Sequence, residues 1–292
     1  MYLIVGASGF LGRYCIKNVL DKTNETVIAT YSKTCPKFNN SRVEWIKLDV
    51  CNIDELKALS LRVNNSTKII YLAAFHHPDK VEEFPELAWN INIVALANVV
   101  NYFYKAKCFY YSSTDSVYGD GSKDYKFAEA DALKPVNLYG EQKALAEKIC
   151  LAKGFNVVRF PFIFGHSLVE DRPHFFDILR LNLESEKNVE MFEDSFRSTL
   201  SFDQCAYYLV ALIEKFGSCS EKIINIAGDE VMSKYDVALI LADKYGLNKQ
   251  LIKPILFSKN TSIFKARRAA GCALDNTKLK SLLNIDEIHL EL

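Results

Sequence analysis

The chain has 292 residues, 49% of them hydrophobic, and its 36 basic and 36 acidic side chains cancel to a formal net charge of zero. That length and apolar content suit one large or two modest domains around a sizeable core. With no charge excess and no long block of like charge, no nucleic-acid partner is expected.

Residues 1–5 are apolar and run straight into a glycine loop, with no basic leader, signal-length apolar stretch or cleavage pattern. No run of about 18 apolar residues exists for a membrane span. A soluble, cytoplasmic protein without a membrane partner is expected. Eight cysteines (Cys15, Cys35, Cys51, Cys108, Cys150, Cys205, Cys219 and Cys272) are scattered, without Cys-x-x-Cys or zinc-site spacing. They read as small core residues of a protein in a reducing compartment, and no metal is expected.

In chain order, residues 3–5, 27–31, 43–48, 69–73, 108–112 and 157–160 form short apolar runs. Such runs read as parallel strands buried on both faces. Helical segments lie between them at about 10–21, 53–63, 86–104 and 137–152. This alternation predicts an α/β fold with a doubly wound parallel sheet. Beyond Gly165 the pattern loosens: a helix is expected over 175–186, a strand over 188–192, a helix over 203–215 and a strand over 222–227. Further helices are expected near 234–245 and 276–283. The expected division is a dinucleotide-binding domain over 1–165, with 200–227 returning to it. A small C-terminal lobe over 166–199 and 228–292, built from discontinuous segments, would bind substrate.

Gly6-Ala7-Ser8-Gly9-Phe10-Leu11-Gly12 joins the first strand to the first helix. Glycines there let backbone approach a pyrophosphate at the positive end of the helix. The spacing is Gly-x-x-Gly-x-x-Gly, one residue longer than the Gly-x-Gly-x-x-Gly fingerprint; a ligand-free tight turn is the alternative, and the place of the loop between the first strand and the first helix favours the ligand. A dinucleotide site usually carries a carboxylate at the end of the second strand, for the ribose 2′-hydroxyl. Here that stretch is Thr30-Tyr31-Ser32-Lys33. Ser32 and Lys33, with Arg13, would suit a 2′-phosphate, so NADP(H) is preferred and NAD(H) is the alternative.

Tyr139 and Lys143 stand four residues apart, which on a helix places both on one face. An ammonium beside a phenol favours the phenolate and makes the pair useful for proton transfer. Such a pair is common on solvated helix faces. Its weight comes from Tyr110-Tyr111-Ser112-Ser113-Thr114-Asp115-Ser116, which follows a predicted strand at the carboxyl edge of the sheet, where ligands bind.

The glycine loop, the Ser113-Thr114-Asp115 loop and the Tyr139/Lys143 pair resemble, in order and spacing, the extended short-chain dehydrogenase/reductase family. Within it the chain is similar to the dTDP-4-dehydrorhamnose reductase group. Leu72-Ala73-Ala74, Asn92 in Trp89-Asn90-Ile91-Asn92, and Arg267-Arg268 followed by Leu274-Asp275-Asn276-Thr277-Lys278-Leu279 extend the resemblance over nearly the whole chain. It implies a Rossmann-type domain and NAD(P)H-dependent reduction of a nucleotide-linked 4-keto-6-deoxysugar, by a homodimer joined through helices near 86–104 and 137–152. Thr114 would bind the substrate carbonyl, Tyr139 would donate the proton, and Lys143 would lower the tyrosine pKa and hold the nicotinamide ribose. Gly6, Ser8, Gly9, Phe10, Leu11, Gly12, Asp49, Val50, Ala73, Ala74 and Asn92 would complete the cofactor site. Asp49 would face the adenine, or else simply cap a strand end. Asp115 would contact substrate. Apart from the resemblance, Arg197, and either Arg267 or Arg268, are candidates for a substrate phosphate, since arginine suits bidentate phosphate contacts.

Several departures narrow the reading. Related 4,6-dehydratases carry Thr-Asp-Glu where this chain has Thr114-Asp115-Ser116, which disfavours dehydration. The cysteine of the fucose-type epimerase-reductases is missing near Ser116, and His166 does not match the spacing of their histidine. His76 and His77 read as loop residues. Ala269 stands where the reductase group has proline after the arginine pair. The alternatives are a 4-epimerase, which would want an acidic residue after the second strand, and a non-catalytic, cofactor-binding regulatory subunit.

Overall fold

The computed structural model describes residues 1–217 and 220–292; Cys219 lies outside them. In chain order the first half contains β1 (Tyr2–Val5), α1 (Phe10–Lys22), β2 (Val27–Tyr31), β3 (Val43–Lys47), α2 (Ile53–Ser60), β4 (Lys68–Tyr71), α3 (Pro78–Glu83), α4 (Pro85–Trp89), α5 (Leu96–Tyr102), β5 (Cys108–Thr114), β6 (Lys126–Phe127) and α6 (Leu138–Ala152). There follow β7 (Asn156–Phe160), β8 (Ile163–Phe164), α7 (Phe175–Glu184), β9 (Val189–Phe192), β10 (Phe196–Arg197), β11 (Leu200–Ser201) and α8 (Phe202–Glu214). The rest comprises β12 (Ile223–Asn225), β13 (Met232–Ser233), α9 (Lys234–Tyr245), β14 (Ile252–Ile255), β15 (Gly271–Leu274) and α10 (Thr277–Leu283).

Seven strands form one parallel sheet in the order β12-β7-β5-β4-β1-β2-β3. Alternate residues of the inner strands enter two separate cores, which is why those runs are largely apolar, whereas the edge strand β3 carries Glu44 and Lys47. Tyr2, Ile4, Val27, Ala29, Tyr110 and Val158 pack with α1 and α8 on one face. Leu3, Val5, Ile28, Ile69, Phe109 and Val157 pack with α2, α5 and α6 on the other. The fold is the expected doubly wound, Rossmann-like sheet.

A smaller sheet, β13-β10-β15-β6, and a parallel pair, β14-β9, build the second lobe with α7 and α9. Phe164, Phe176, Leu179, Leu183, Val237, Leu241 and Ile252 form its own core. Ser233 caps α9 in reciprocal exchange with Asp236, and Gly246 closes the helix in the left-handed region at φ 63°.

The helix expected over 86–104 is interrupted. Residues Asn90–Ala95 form a π-helical turn between α4 and α5. The Asn92 amide is drawn out of the helix surface: it accepts from Phe75 N–H at 2.8 Å, donates to Phe75 C=O at 3.1 Å and donates to Gln142 Oε1 at 2.8 Å. Single π-turns of this kind commonly accommodate such a local demand.

Candidate active site

The glycine loop is a close-packed joint. Gly6 sits at φ 87°, and a Cβ there would lie 2.8 Å from Ala73 N; a Cβ on Gly12 would lie 2.7 Å from Ala7 Cα. Neither position tolerates a side chain, and Ala73 lies against the loop as the sequence suggests. Gly6 N–H donates to Thr30 Oγ1 at 3.0 Å, which fixes the loop to β2. Gly9 begins α1 without a capping side chain, and no acidic residue occupies the first turn. The positive end of a 13-residue helix is therefore available to an anion.

Thr114 ends β5 and caps the short turn that follows. Ser116 N–H donates to Thr114 Oγ1 at 3.2 Å, and the Thr114 hydroxyl donates to Asp115 Oδ1 at 3.0 Å. Asn137 caps α6 by accepting from Gly140 N–H at 2.9 Å. A Cβ on Gly140 would lie 2.5 Å from Ser116 O, so the start of α6 is pressed against this loop. That contact brings the Tyr139 phenol to hydrogen-bonding reach of Thr114. Burial raises the Tyr139 pKa well above its ordinary value; the negative charge of Asp115 adds to the rise, and the Thr114 bond opposes it.

Lys143 is 3% exposed, and burial lowers its pKa to about 7. Its ammonium donates to Ser112 C=O and lies 4.2 Å from the centroid of the Tyr111 ring. The expected lowering of the Tyr139 pKa by Lys143 is not met in this arrangement. The ammonium is committed to a carbonyl and a ring face, and the charge that acts on the phenol is that of Asp115.

One cavity of about 480 Å³ joins these parts. Gly6, Gly9, Phe10, Leu11, Gly12, Thr114, Asp115, Tyr139 and Arg197 all line it. Lys143 stands behind the wall, through Ser112. Other expected residues lie elsewhere. Ser32 and Lys33 are exposed beyond β2, and Ser8 and Ala74 are off the cavity wall. Asp49 is exposed and accepts from Cys51 N–H at 2.9 Å, so it caps a strand end; Val50 is core. Asn92 is a buried tether between two loops and not a wall residue.

Neither Arg197 nor Arg267 is placed as a substrate contact would require. Arg197 lines the cavity, but its guanidinium donates to the carbonyls of Phe196, Ala269 and Ala270 and pairs with Asp115, which leaves it little to offer a phosphate. Arg267 is 67% exposed, pairs with Asp120 and faces a separate surface hollow. Its neighbour Arg268 reaches the cavity and pairs with Asp79 at 2.8 Å. Consecutive residues in an extended segment point to opposite sides, and the sequence does not say which side is inside.

Arg172, His174 and Lys234 also line the cavity and were not anticipated. The signal for Lys234 was its place just after the Ser233 cap. His76 faces the cavity, whereas His166 is exposed and bound to Asp177. No group of three or more potential metal ligands occurs among the described residues, nor any helix long and apolar enough to cross a membrane.

Known proteins resemble the chain over most of its length. It is 31% identical to methionine adenosyltransferase 2 subunit beta of Xenopus laevis over 262 residues, covering 87% of this chain and 74% of that one. It is 24% identical to a dTDP-4-dehydrorhamnose reductase of Mycolicibacterium smegmatis over 255 residues, covering 86% and 71%. The solved structure of a dTDP-4-dehydrorhamnose reductase from Bacillus anthracis, in complex with NADP, superposes with a TM-score of 0.77 at 18% identity, covering 98% of this chain and 94% of that one. The profile described as the RmlD substrate binding domain matches residues 1–291, and the chain belongs to that family.

Proposed function

We propose that the chain is a nicotinamide-dependent reductase of a keto group on a nucleotide-linked sugar, with a 4-keto-6-deoxysugar as the substrate class. The observation that carries this reading is the single cavity in which the Thr114 and Tyr139 hydroxyls meet beside the glycine loop. The loop fits a dinucleotide: Gly6, Gly9 and Gly12 line the cavity with bare backbone, and the α1 N-terminus offers uncapped N–H groups. The cofactor, when bound, supplies the hydride that reduces the carbonyl carbon.

The chain's own residues then do three things. The Thr114 hydroxyl orients the carbonyl oxygen. The Tyr139 phenol, kept protonated by burial and by Asp115, donates its proton to the alkoxide oxygen as charge develops there. Lys143, buried behind the wall, holds the Ser112 carbonyl and so braces the strand end that carries Thr114. NADP(H) is the preferred cofactor because no carboxylate follows β2 where Ser32 and Lys33 stand. Exposed Leu87, Val94 and Leu145 on the helices beside the sheet support a homodimer, and light scattering measures its mass.

A second reading has its own support. The likeness to a methionine adenosyltransferase subunit favours a cofactor-binding chain that serves a partner enzyme. NADPH oxidation with a panel of 4-keto nucleotide sugars separates the two. Turnover supports the reductase, and tight NADPH binding without turnover on any sugar supports the subunit.

A further inference from the structure

Lys234 is the first residue of α9 and stands on the second-lobe wall of the cavity. Its ammonium lies 5.4 Å from the ring centroids of both Phe162 and Phe175. It makes no hydrogen bond or ion pair among the described residues. Burial pushes its pKa below the ordinary lysine value, and the charges that reach it, those of Arg197 and Arg268, are both positive and add to the fall. The neighbouring cations have partners, since Arg197 pairs with Asp115 and Arg268 with Asp79. A largely buried ammonium that faces only aromatic rings and like charge is unfavourable in the free protein, because desolvation is not offset by an anion. Burial in a cavity wall makes sense when the missing negative charge arrives with a ligand.

We propose that Lys234, assisted by Arg268, binds the diphosphate of the nucleotide-linked substrate and is the residue that makes the second lobe select it. The inference rests on the reading of the site given above and adds the residue that recognises the substrate's charge. A cofactor diphosphate is the other source of the same chemistry. The second-lobe position of Lys234 favours the substrate, since the glycine loop is lined instead by Phe10, whose ring packs against His174 and lies under Arg172.

The test uses the full chain with thymidine diphosphate, uridine diphosphate, inorganic pyrophosphate and NADPH as calorimetric probes. Lys234→Met keeps the apolar stem and removes the charge. It should raise the melting temperature of the ligand-free protein and weaken the nucleoside diphosphates by about tenfold or more, with NADPH affinity unchanged. Lys234→Arg should retain diphosphate binding. A merely structural lysine would behave oppositely: Lys234→Met would lower the melting temperature. That result overturns the proposal. So does a wild type that binds none of the three diphosphate probes, a Lys234→Met variant that binds them as well as wild type, or a loss that falls on NADPH. Failure of the reductase reading is distinct: sugar turnover would be absent while diphosphate binding and its dependence on Lys234 remain.

Discussion

Arg197 Nε lies 3.2 Å from Asp115 Oδ2, and this ion pair joins the loop after β5 to β10 of the second lobe. Both side chains are largely buried, so neither charge is well solvated without the other. The same Asp115 accepts from the Thr114 hydroxyl and raises the Tyr139 phenol, so the contact between the lobes also sets the electrostatics of the proton donor.

Arg197→Met should therefore destabilise the protein by about 3–5 kcal/mol at neutral pH, the cost of an orphaned buried carboxylate. Burial already holds the Asp115 pKa above the ordinary value, and Arg197 opposes that rise. A carboxyl with a raised folded pKa is unfavourable above that pKa and relaxes below it. The defect of the variant should shrink as pH falls through that range. Urea denaturation at several pH values measures it; a pH-independent loss below about 1 kcal/mol would contradict it.

Lys143 gives the opposite sign in another window. Its folded pKa of about 7 lies below the ordinary lysine value of 10.5, so the unfolded chain binds the extra proton between these values. Stability should rise with pH across that window from this group, by at most about 1.4 kcal/mol per pH unit. Lys143→Met should remove that rise and stabilise the protein at and below pH 7. Parallel denaturation curves for the two proteins at pH 7 and pH 9 would refute the assignment.

Gly6→Ala tests the cofactor cradle. The added methyl meets Ala73 N at 2.8 Å in a backbone conformation with φ 87°, so the loop must shift. A loss of stability of about 1–3 kcal/mol is expected, together with loss of NADPH binding by fluorescence titration. Retention of both would show that the loop is an ordinary turn.

Much of the first half is legible in the sequence, because the inner strands are buried on both faces and so read as continuous apolar runs. The runs at 27–31 and 157–160 match β2 and β7 closely for that reason. The π-turn was not legible, since its cause is a contact of Asn92 with Phe75 and Gln142, the latter 50 residues away. The second lobe hides for a similar reason. Strands such as β6, β10 and β13 have two residues each and exist only through non-local pairing. At the site, Gly6 and Thr114 meet on one cavity because both follow or end strands of the same sheet, and the close packing of Gly140 on Ser116 brings Tyr139 to them. Asp49 and Arg267 do not, because sequence does not reveal which way an exposed side chain turns or which partner it finds. Lys234 was missed because a lysine opening a helix reads as a solvated residue.

The proton donor carries the central claim, and Tyr139→Phe addresses it with the loss of one oxygen. With a 4-keto nucleotide sugar that the wild type reduces, NADPH oxidation should fall about 10²–10⁴-fold in kcat. NADPH affinity should stay within about twofold, because the ring and the glycine loop are untouched. Unchanged turnover in the variant would contradict the account.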